Sequence, residues 1–303
     1  MKNSACVAYL AGYTLIVLKT RPVSMLGRLF LVATPIGNLS EFSPRGVEVL
    51  KNCHIIACED TRRTRKLLSH FSIPVSRLVS FHEHNEREQT EKLLGELRQG
   101  RSVALVSDAG MPVLSDPGYR LVRAAAEAGV PVSPVSGPSA VISALAASGL
   151  PPLPFTFFGF LPSRGGPRRS AIEALRLRTE TLVLFEAPHH VIDTLRDVLA
   201  ILGDRHLCLA REISKIHEEF LRGSVSEILA EMESRKPGIQ GEITLVLEGA
   251  PEGAAAPSQA PGDPSPEAQM QRLLAEGLSR REASKQVAAR WGIPAAQAYK
   301  MGM

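Results

Sequence analysis

A chain of 303 residues, 44% hydrophobic and 22% charged, has the balance of an ordinary soluble protein with room for two modest domains. Its net charge of +4, pI near 9.0 and excess of arginine over lysine suit a polyanionic partner, but alone they are weak evidence for one. Cys6, Cys53, Cys58 and Cys208 have neither CxxC spacing nor a disulfide framework, which argues against zinc and for reduced thiols in a cytoplasmic protein.

The first stretch, residues 6–18, is an apolar run behind Lys2, interrupted by Gly12 and followed by Lys19 and Arg21. It is too short to span a bilayer and has no small-residue cleavage pattern. A cryptic signal, a disordered extension and a wrongly chosen start all remain open. The last is favoured, with Met25 as the start, because regular patterning begins only at Arg28.

From Arg28 onward, short β-branched runs alternate with helical segments. Strands are expected over 29–33, 54–58, 78–81, 103–107 and 130–135. Ser43-Pro44 offers a cap followed by proline at the first helical position, Thr61 opens a helix carrying Leu67 and Leu68, and an amphipathic helix over 86–98 closes at Gly100. After a Pro-rich joint over 149–154 the alternation resumes, with strands at 155–160, 181–186, 206–211 and 243–248 and a short one at Phe220-Leu221. Helices are expected over 168–177, 189–202 and 225–235. Residues 249–266 hold almost no large apolar side chain and read as a flexible linker. Beyond it, a helix over 268–275, a capping-box pattern at Ser279–Glu282, an apolar face of Ala283, Val287, Ala288 and Trp291, and a stop at Gly292 before Pro294 read as a helix-turn-helix-like module. The expected fold class is therefore α/β. It comprises an extension (1–27), two α/β domains (28–149 and 150–249), a linker (250–266) and a helical module (267–303).

Ligands of open α/β sheets gather beyond the carboxyl ends of the strands. There the first half of the chain places residues 34–38 (TPIGN), 59–62 (EDTR), 82–85 (HEHN), 107–118 (SDAGMPVLSDPG) and 136–139 (SGPS). Neither GxGxxG after the first strand nor GxxxxGK[ST] occurs, so neither NAD binding nor an NTPase P-loop is indicated. Small residues at 108–110 and 136–140 instead let the backbone approach a bulky ligand closely.

Together ATPIGNL, EDTRRTRKLL, FHEHNE, VSDAGMPVLSDPGYRLV, SGPSAVISAL, GFLP and GEITLVLEG resemble the tetrapyrrole-methylase superfamily. More narrowly, they resemble its ribosomal RNA 2′-O-ribose methyltransferases. The resemblance runs from about Arg28 through Glu248, and the terminal helical module also fits it. It implies two α/β domains of tetrapyrrole-methylase type with S-adenosyl-L-methionine in the cleft between them, usually in a homodimer. The implied reaction is 2′-O-methylation of a cytidine ribose in 16S rRNA of the small ribosomal subunit. The implied donor contacts are Ile36, Gly110, Ser139, Ala140, Phe185, Ala210 and Ile243, with Asp108 and Ala109 close by.

Methyl transfer to a hydroxyl needs alignment and a group to take the proton. Glu59, Asp60 and Asp108 are candidates, with Asp60 preferred because Arg62 is positioned to orient it or hold the target phosphate. The plain alternative is that Asp60 caps a helix and pairs with Arg62. His82 and His84 share one side of an extended segment, but no third metal ligand is evident, so no metal is expected. Asn85 reads as a donor to substrate, against simple loop polarity. Three basic surfaces are expected to meet RNA: Arg62, Arg63, Arg65 and Lys66; Arg164, Arg168 and Arg169; and Arg280, Arg281, Lys285 and Arg290. Two rival functions stay open, C-methylation of a tetrapyrrole and a nucleic-acid-binding regulator that uses the terminal helices.

Overall fold

The computed structural model describes residues 6–10, 13–17, 26–75, 77–235, 238–251, 265–291 and 295–301. The linker beyond 251, Gly292 and Pro294, Lys19 and Arg21, and the Trp291 side chain lie outside what is described. Within the N-terminal extension, β1 (Cys6–Leu10) pairs antiparallel with β2 (Tyr13–Val17). Backbone contacts divide the chain into two units, Met1–Ser143 with Glu212–Glu218, and Ala144–Arg211 with Glu219–Met303.

In the first unit, β3 (Leu29–Val32), β4 (Ile55–Cys58), β5 (Arg77–Ser80), β6 (Val103–Val106) and β7 (Val132–Val135) form one sheet, ordered β5-β4-β6-β3-β7, with every pairing parallel. Strands buried on both faces read as continuous apolar runs, and β4 and β6 are buried at every position. Ile55 and Ala57 join Leu29, Val103 and Leu105 in one core, against Leu93 and Leu97 of α3 (Glu86–Arg98) and Leu121 and Ala125 of α4 (Tyr119–Glu127). Ile56 and Cys58 point the other way with Val32, Ala104 and Val106, against Leu50 of α1 (Pro44–Asn52) and Leu68 of α2 (Thr61–His70). Period-two alternation thus gives each strand two buried faces. A fifth helix, α5 (Ala140–Ala147), follows β7.

Neighbouring strands β4 and β6 send their chains in opposite directions. The connection after β4 leads through α2 to β5, and the one after β6 leads through α4 to β7. That is the topological switch point, where the loops diverge and open a crevice.

The second unit is also α/β, but its sheet is mixed. Strands β8 (Phe155–Phe160), β9 (Thr181–Glu186), β10 (His206–Arg211), β11 (Glu219–Ser224) and β12 (Ile243–Leu247) take the order β11-β10-β12-β9-β8. Only β8 and β9 run parallel; β12 is antiparallel to both its neighbours. Leu182, Leu184, Leu207, Leu209 and Leu245 bury one face against α6 (Gly165–Glu173), α7 (Val191–Leu202) and α8 (Val225–Ser234). The expected short strand at Phe220-Leu221 is six residues long, because Glu219 through Ser224 pair with all of β10.

Helices α9 (Pro266–Ala275), α10 (Arg280–Trp291) and α11 (Ala295–Met301) enclose a small core of Met270, Ala283, Val287 and Ala298. The Ser279 and Glu282 pair caps α10, with the Glu282 N–H donating to Ser279 Oγ at 3.3 Å and the Ser279 N–H donating to the Glu282 carboxylate at 3.3 Å.

Candidate active site

The loops leaving β3 and β6 are stitched together. Thr34 N–H donates to Gly110 O at 2.9 Å and Gly110 N–H returns a bond to Thr34 O at 3.0 Å. Beneath this bridge the Thr34 hydroxyl donates to Ser107 O at 3.1 Å, and the Ser107 hydroxyl donates to Gly110 O at 3.1 Å. Gly110 adopts φ +81°, a conformation that favours glycine. A Cβ there would stand 3.5 Å from Ile36 Cγ2 and 3.9 Å from Pro138 O. The loops after β3, β6 and β7 therefore meet around a space the width of a methyl group. Nearby, Gly137 is required by close packing, since a Cβ would lie 2.8 Å from that of Ala33. Ser139 opens α5, its carbonyl accepting from Ser143 N–H at 2.9 Å, and Ala140 is the first residue of that helix.

The segment Glu212–Glu218, which the sequence reading missed, belongs with these loops. Asn38 N–H donates to Ser214 Oγ at 3.1 Å. Gly37 admits the segment, because a Cβ would fall 2.4 Å from Lys215 Cγ. Glu212 and Ser214 hold φ of +53° and +62°, so the turn is strained where it docks. The only sequence signal was its run of polar residues between two strands.

At the end of β4, Asp60 caps α2. Its carboxylate accepts from Arg62 N–H at 2.7 Å and from Arg62 Nη2 at 2.9 Å. These bonds from Arg62 hold its carboxyl well below the usual range, at about 2. Asp60 is thus a poor proton acceptor, contrary to the sequence expectation; capping and pairing with Arg62 are what the geometry supports. Asp108 accepts from Asp60 N–H at 3.2 Å and lies 3.5 Å from Arg63 Nη1. Burial, and then the charge of Asp108, push Glu59 up, with Arg63 opposing. Asp116, overlooked in the sequence, is pushed up to about 6 by burial and then by Glu59.

At the end of β5, Asn85 closes its own turn, accepting from His82 N–H at 2.8 Å and donating to Ser80 O at 3.1 Å. Its amide is committed to the loop, which corrects its reading as a substrate donor. The His82 and His84 rings meet edge to face at 5.8 Å. Among the described residues, no group of three or more His, Cys, Asp or Glu is arranged to hold a metal ion.

A family model described as Tetrapyrrole (Corrin/Porphyrin) Methylases matches residues 28–229. The chain belongs to the tetrapyrrole methylases. "Ribosomal RNA small subunit methyltransferase I" of Halalkalibacterium halodurans is 45% identical over 91% of this chain and 94% of its own length. The protein of that name from Thermotoga maritima is 47% identical over 74% of this chain and 99% of its own. Among solved structures, diphthine synthase matches with TM-score 0.55 at 15% identity, covering 73% of this chain and 90% of its own. Uroporphyrin-III-C-methyltransferase from Thermus thermophilus matches with TM-score 0.51 at 23% identity, covering 73% and 94%. At such identities these two report the fold.

In the second unit of this tetrapyrrole methylase, the register sets Phe185, Ala210 and Ile243 near one another on adjacent strands. Ala210 and Phe185 both flank Thr244 of β12, and Ile243 precedes it. Phe185 meets the rings of Phe157 and Phe160 at 4.9 and 5.4 Å.

The basic residues separate by burial. Arg62, Arg63, Arg65, Arg164, Arg169, Arg281 and Lys285 are exposed. Arg168 is not: it is 6% exposed and its Nε donates to Asp197 Oδ2 at 2.8 Å. The segment expected to be a flexible basic loop is the start of α6, and that helix turns Arg168 inward toward α7. It is withdrawn from the RNA-contacting set. Arg169 shares Asp197 at 2.8 Å but remains at the surface.

Proposed function

We propose that this chain is an S-adenosyl-L-methionine-dependent methyltransferase that methylates a cytidine ribose 2′-hydroxyl in 16S rRNA of the small ribosomal subunit. The observation that carries the reading is the meeting of Ile36, Gly110 and Pro138 around a space a Cβ would fill, in a chain whose relatives are named for ribosomal RNA methylation. Backbone brought this close by small residues suits a ligand held by N–H and C=O groups and flat apolar contact. Ile36, Asp108, Ala109, Gly110, Ser139 and Ala140 would hold the donor from the first unit, and Phe185, Ala210 and Ile243 from the second. When bound, the donor supplies a methyl group on a sulfonium, whose leaving group is a neutral thioether. What remains for the protein is to align the ribose oxygen, exclude water and take one proton.

Exposed Arg63, Arg65, Arg164, Arg169, Arg281 and Lys285 are the proposed phosphate contacts. Arg62, fixed by Asp60 yet 85% exposed in its side chain, orients the entering strand. The protein acts as a homodimer in the cytoplasm on this reading. Among the described residues no helix is long and apolar enough to cross a membrane.

The test is a methyl-transfer assay offering small-subunit particles and a uroporphyrinogen side by side. Label in RNA alone supports the reading. Label in the macrocycle, or in neither, overturns it.

A further inference from the structure

The carboxyl groups at the topological switch point do not stand in equal conditions. Asp60 is held by the α2 N-terminus and Arg62. Asp108 takes the Asp60 N–H and Arg63. Glu86 caps α4 from outside that helix, accepting from Gly118 N–H at 2.9 Å and Arg120 N–H at 3.3 Å, with the Arg120 guanidinium 3.7 Å away. Among the described residues, Glu59 and Asp116 have no ion-pair partner within 4.0 Å.

We propose that Asp116, set in the field of Glu59 at the crevice between β4 and β6, receives the proton of the ribose hydroxyl. The assignment rests on the methyltransferase reading above.

The loop from Ser107 to Gly118 is built to hold this carboxyl in place. Its first turn is closed by the Ser107 hydroxyl and the Thr34–Gly110 bridge. Its last residue is pinned by Glu86, and Gly118 packs so closely that a Cβ would lie 2.7 Å from Leu105 Cδ2 and 2.8 Å from Val113 Cγ2. Between these anchors Val113 and Ser115 hold φ of +81° and +65°. A β-branched residue in that region is strained and persists only where its surroundings enforce it. Strain of this kind, on either side of Leu114 and directly before Asp116, fixes where the carboxyl points. Asp116 itself is half-buried.

Burial and then the Glu59 charge make Asp116 more basic, with a hydrogen bond from Ser107 opposing and Asp108 adding to the rise, to about 6. Glu59 in turn faces Asp108, Arg63, Glu83 and His82. Glu86 and Arg120 stand at the far end of the loop. Asp116 is therefore ionised at neutral pH yet far more basic than Asp60, which is the balance general-base catalysis needs. In the step itself, Asp116 accepts the hydroxyl proton while a lone pair of the ribose oxygen bonds the methyl carbon. The carbon–sulfur bond breaks with its electron pair going to sulfur, which cancels the sulfonium charge, and Asp116 later releases its proton to solvent.

Carboxyl-carbon NMR on the aspartate-labelled protein, with no methyl donor present, reads the group directly. One resonance should titrate near pH 6, vanish in Asp116→Asn, and move to lower pH in Glu59→Gln. Single-turnover methyl transfer to small-subunit particles should lose rate below about pH 6. It should drop by about 10²–10⁴-fold in Asp116→Asn, while calorimetric affinity for S-adenosylmethionine stays within twofold and so reports an intact fold. A wild-type protein that methylates RNA, beside an Asp116→Asn variant that keeps its rate and pH profile, overturns the assignment alone. So does a carboxyl titrating near 4. A wild-type protein that binds the donor but transfers nothing to RNA removes the proposed function, and this assignment with it.

Discussion

Gly110→Ala separates backbone strain from occupation of the proposed donor space. The new Cβ would stand 3.5 Å from Ile36 Cγ2 and 3.9 Å from Pro138 O, ordinary contact distances that require no protein atom to move. The backbone cost comes from φ +81°, about 1–2 kcal/mol for an L-residue in the left-handed region. At about 2–4 °C per kcal/mol for a domain of this class, Tm should fall by roughly 2–8 °C. Donor affinity should fall further than strain alone explains, by about 10–100-fold, or about 1.4–2.8 kcal/mol, because the methyl group takes space the ligand needs. Gly129→Ala is the matched control: φ is +70°, and nothing lies within 4 Å of the added carbon. It should lose similar stability and no affinity. Calorimetry with S-adenosylmethionine and thermal melts of both variants make the comparison. Wild-type affinity in Gly110→Ala, or equal loss in Gly129→Ala, would refute the placement.

Arg168→Ala strips one partner from Asp197, which is 5% exposed; it should cost up to about 3–5 kcal/mol by urea unfolding, whereas Arg169→Ala should cost under about 1 kcal/mol. Equal effects would contradict the buried pairing. Hydrogen bonds from Arg235, and then Arg211, pull Glu219 down to about 2 against the cost of burial. Its folded value lies below the ordinary 4.5, so its contribution is complete above that pH and is lost as pH falls toward 2. Glu219→Gln should therefore lower stability at neutral pH and flatten the acid limb between about pH 4.5 and 2; an unchanged limb counts against it. If Arg281 and Lys285 each neutralise a phosphate, changing both to alanine should weaken RNA binding at low salt. It should also make the log–log salt slope shallower by about 1.4–1.8. An unchanged slope removes the helical module from the interface.

Much of the first unit was legible because its strands carry their own signal. IIAC and VALV are apolar throughout, as strands buried on both faces must be, and Ser43-Pro44 announces α1 locally. Helix α4 gave no such sign, since the carboxylate at its N-terminus comes from Glu86, 32 residues before Gly118. Orientation was equally hidden in the second sheet: a strand's residues record its burial, not its direction, so β12 does not reveal that it runs against both neighbours.

The candidate site divides along the same line. Ile36, Gly110 and Ser139 are readable as small or apolar residues at strand ends, and the structure brings their loops together. Asp116 looked like one more turn residue in SDPG, because its basicity arises from burial beneath a folded-back loop and from Glu59. Asp60 misled for the opposite reason. Its proximity to Arg62 was visible, but that contact lowers the basicity the role demands. The docking of Ser214 on Asn38 spans 176 residues and leaves no local mark.

The most direct measurement incubates the protein with small ribosomal subunits and S-adenosylmethionine carrying a deuterated methyl group, then maps the label in digested 16S rRNA by mass spectrometry. The account predicts one labelled nucleoside, a cytidine with the label on its ribose 2′-oxygen. Label on a base, label on a ribose other than cytidine's, or unlabelled RNA from protein that demonstrably binds the donor would contradict it.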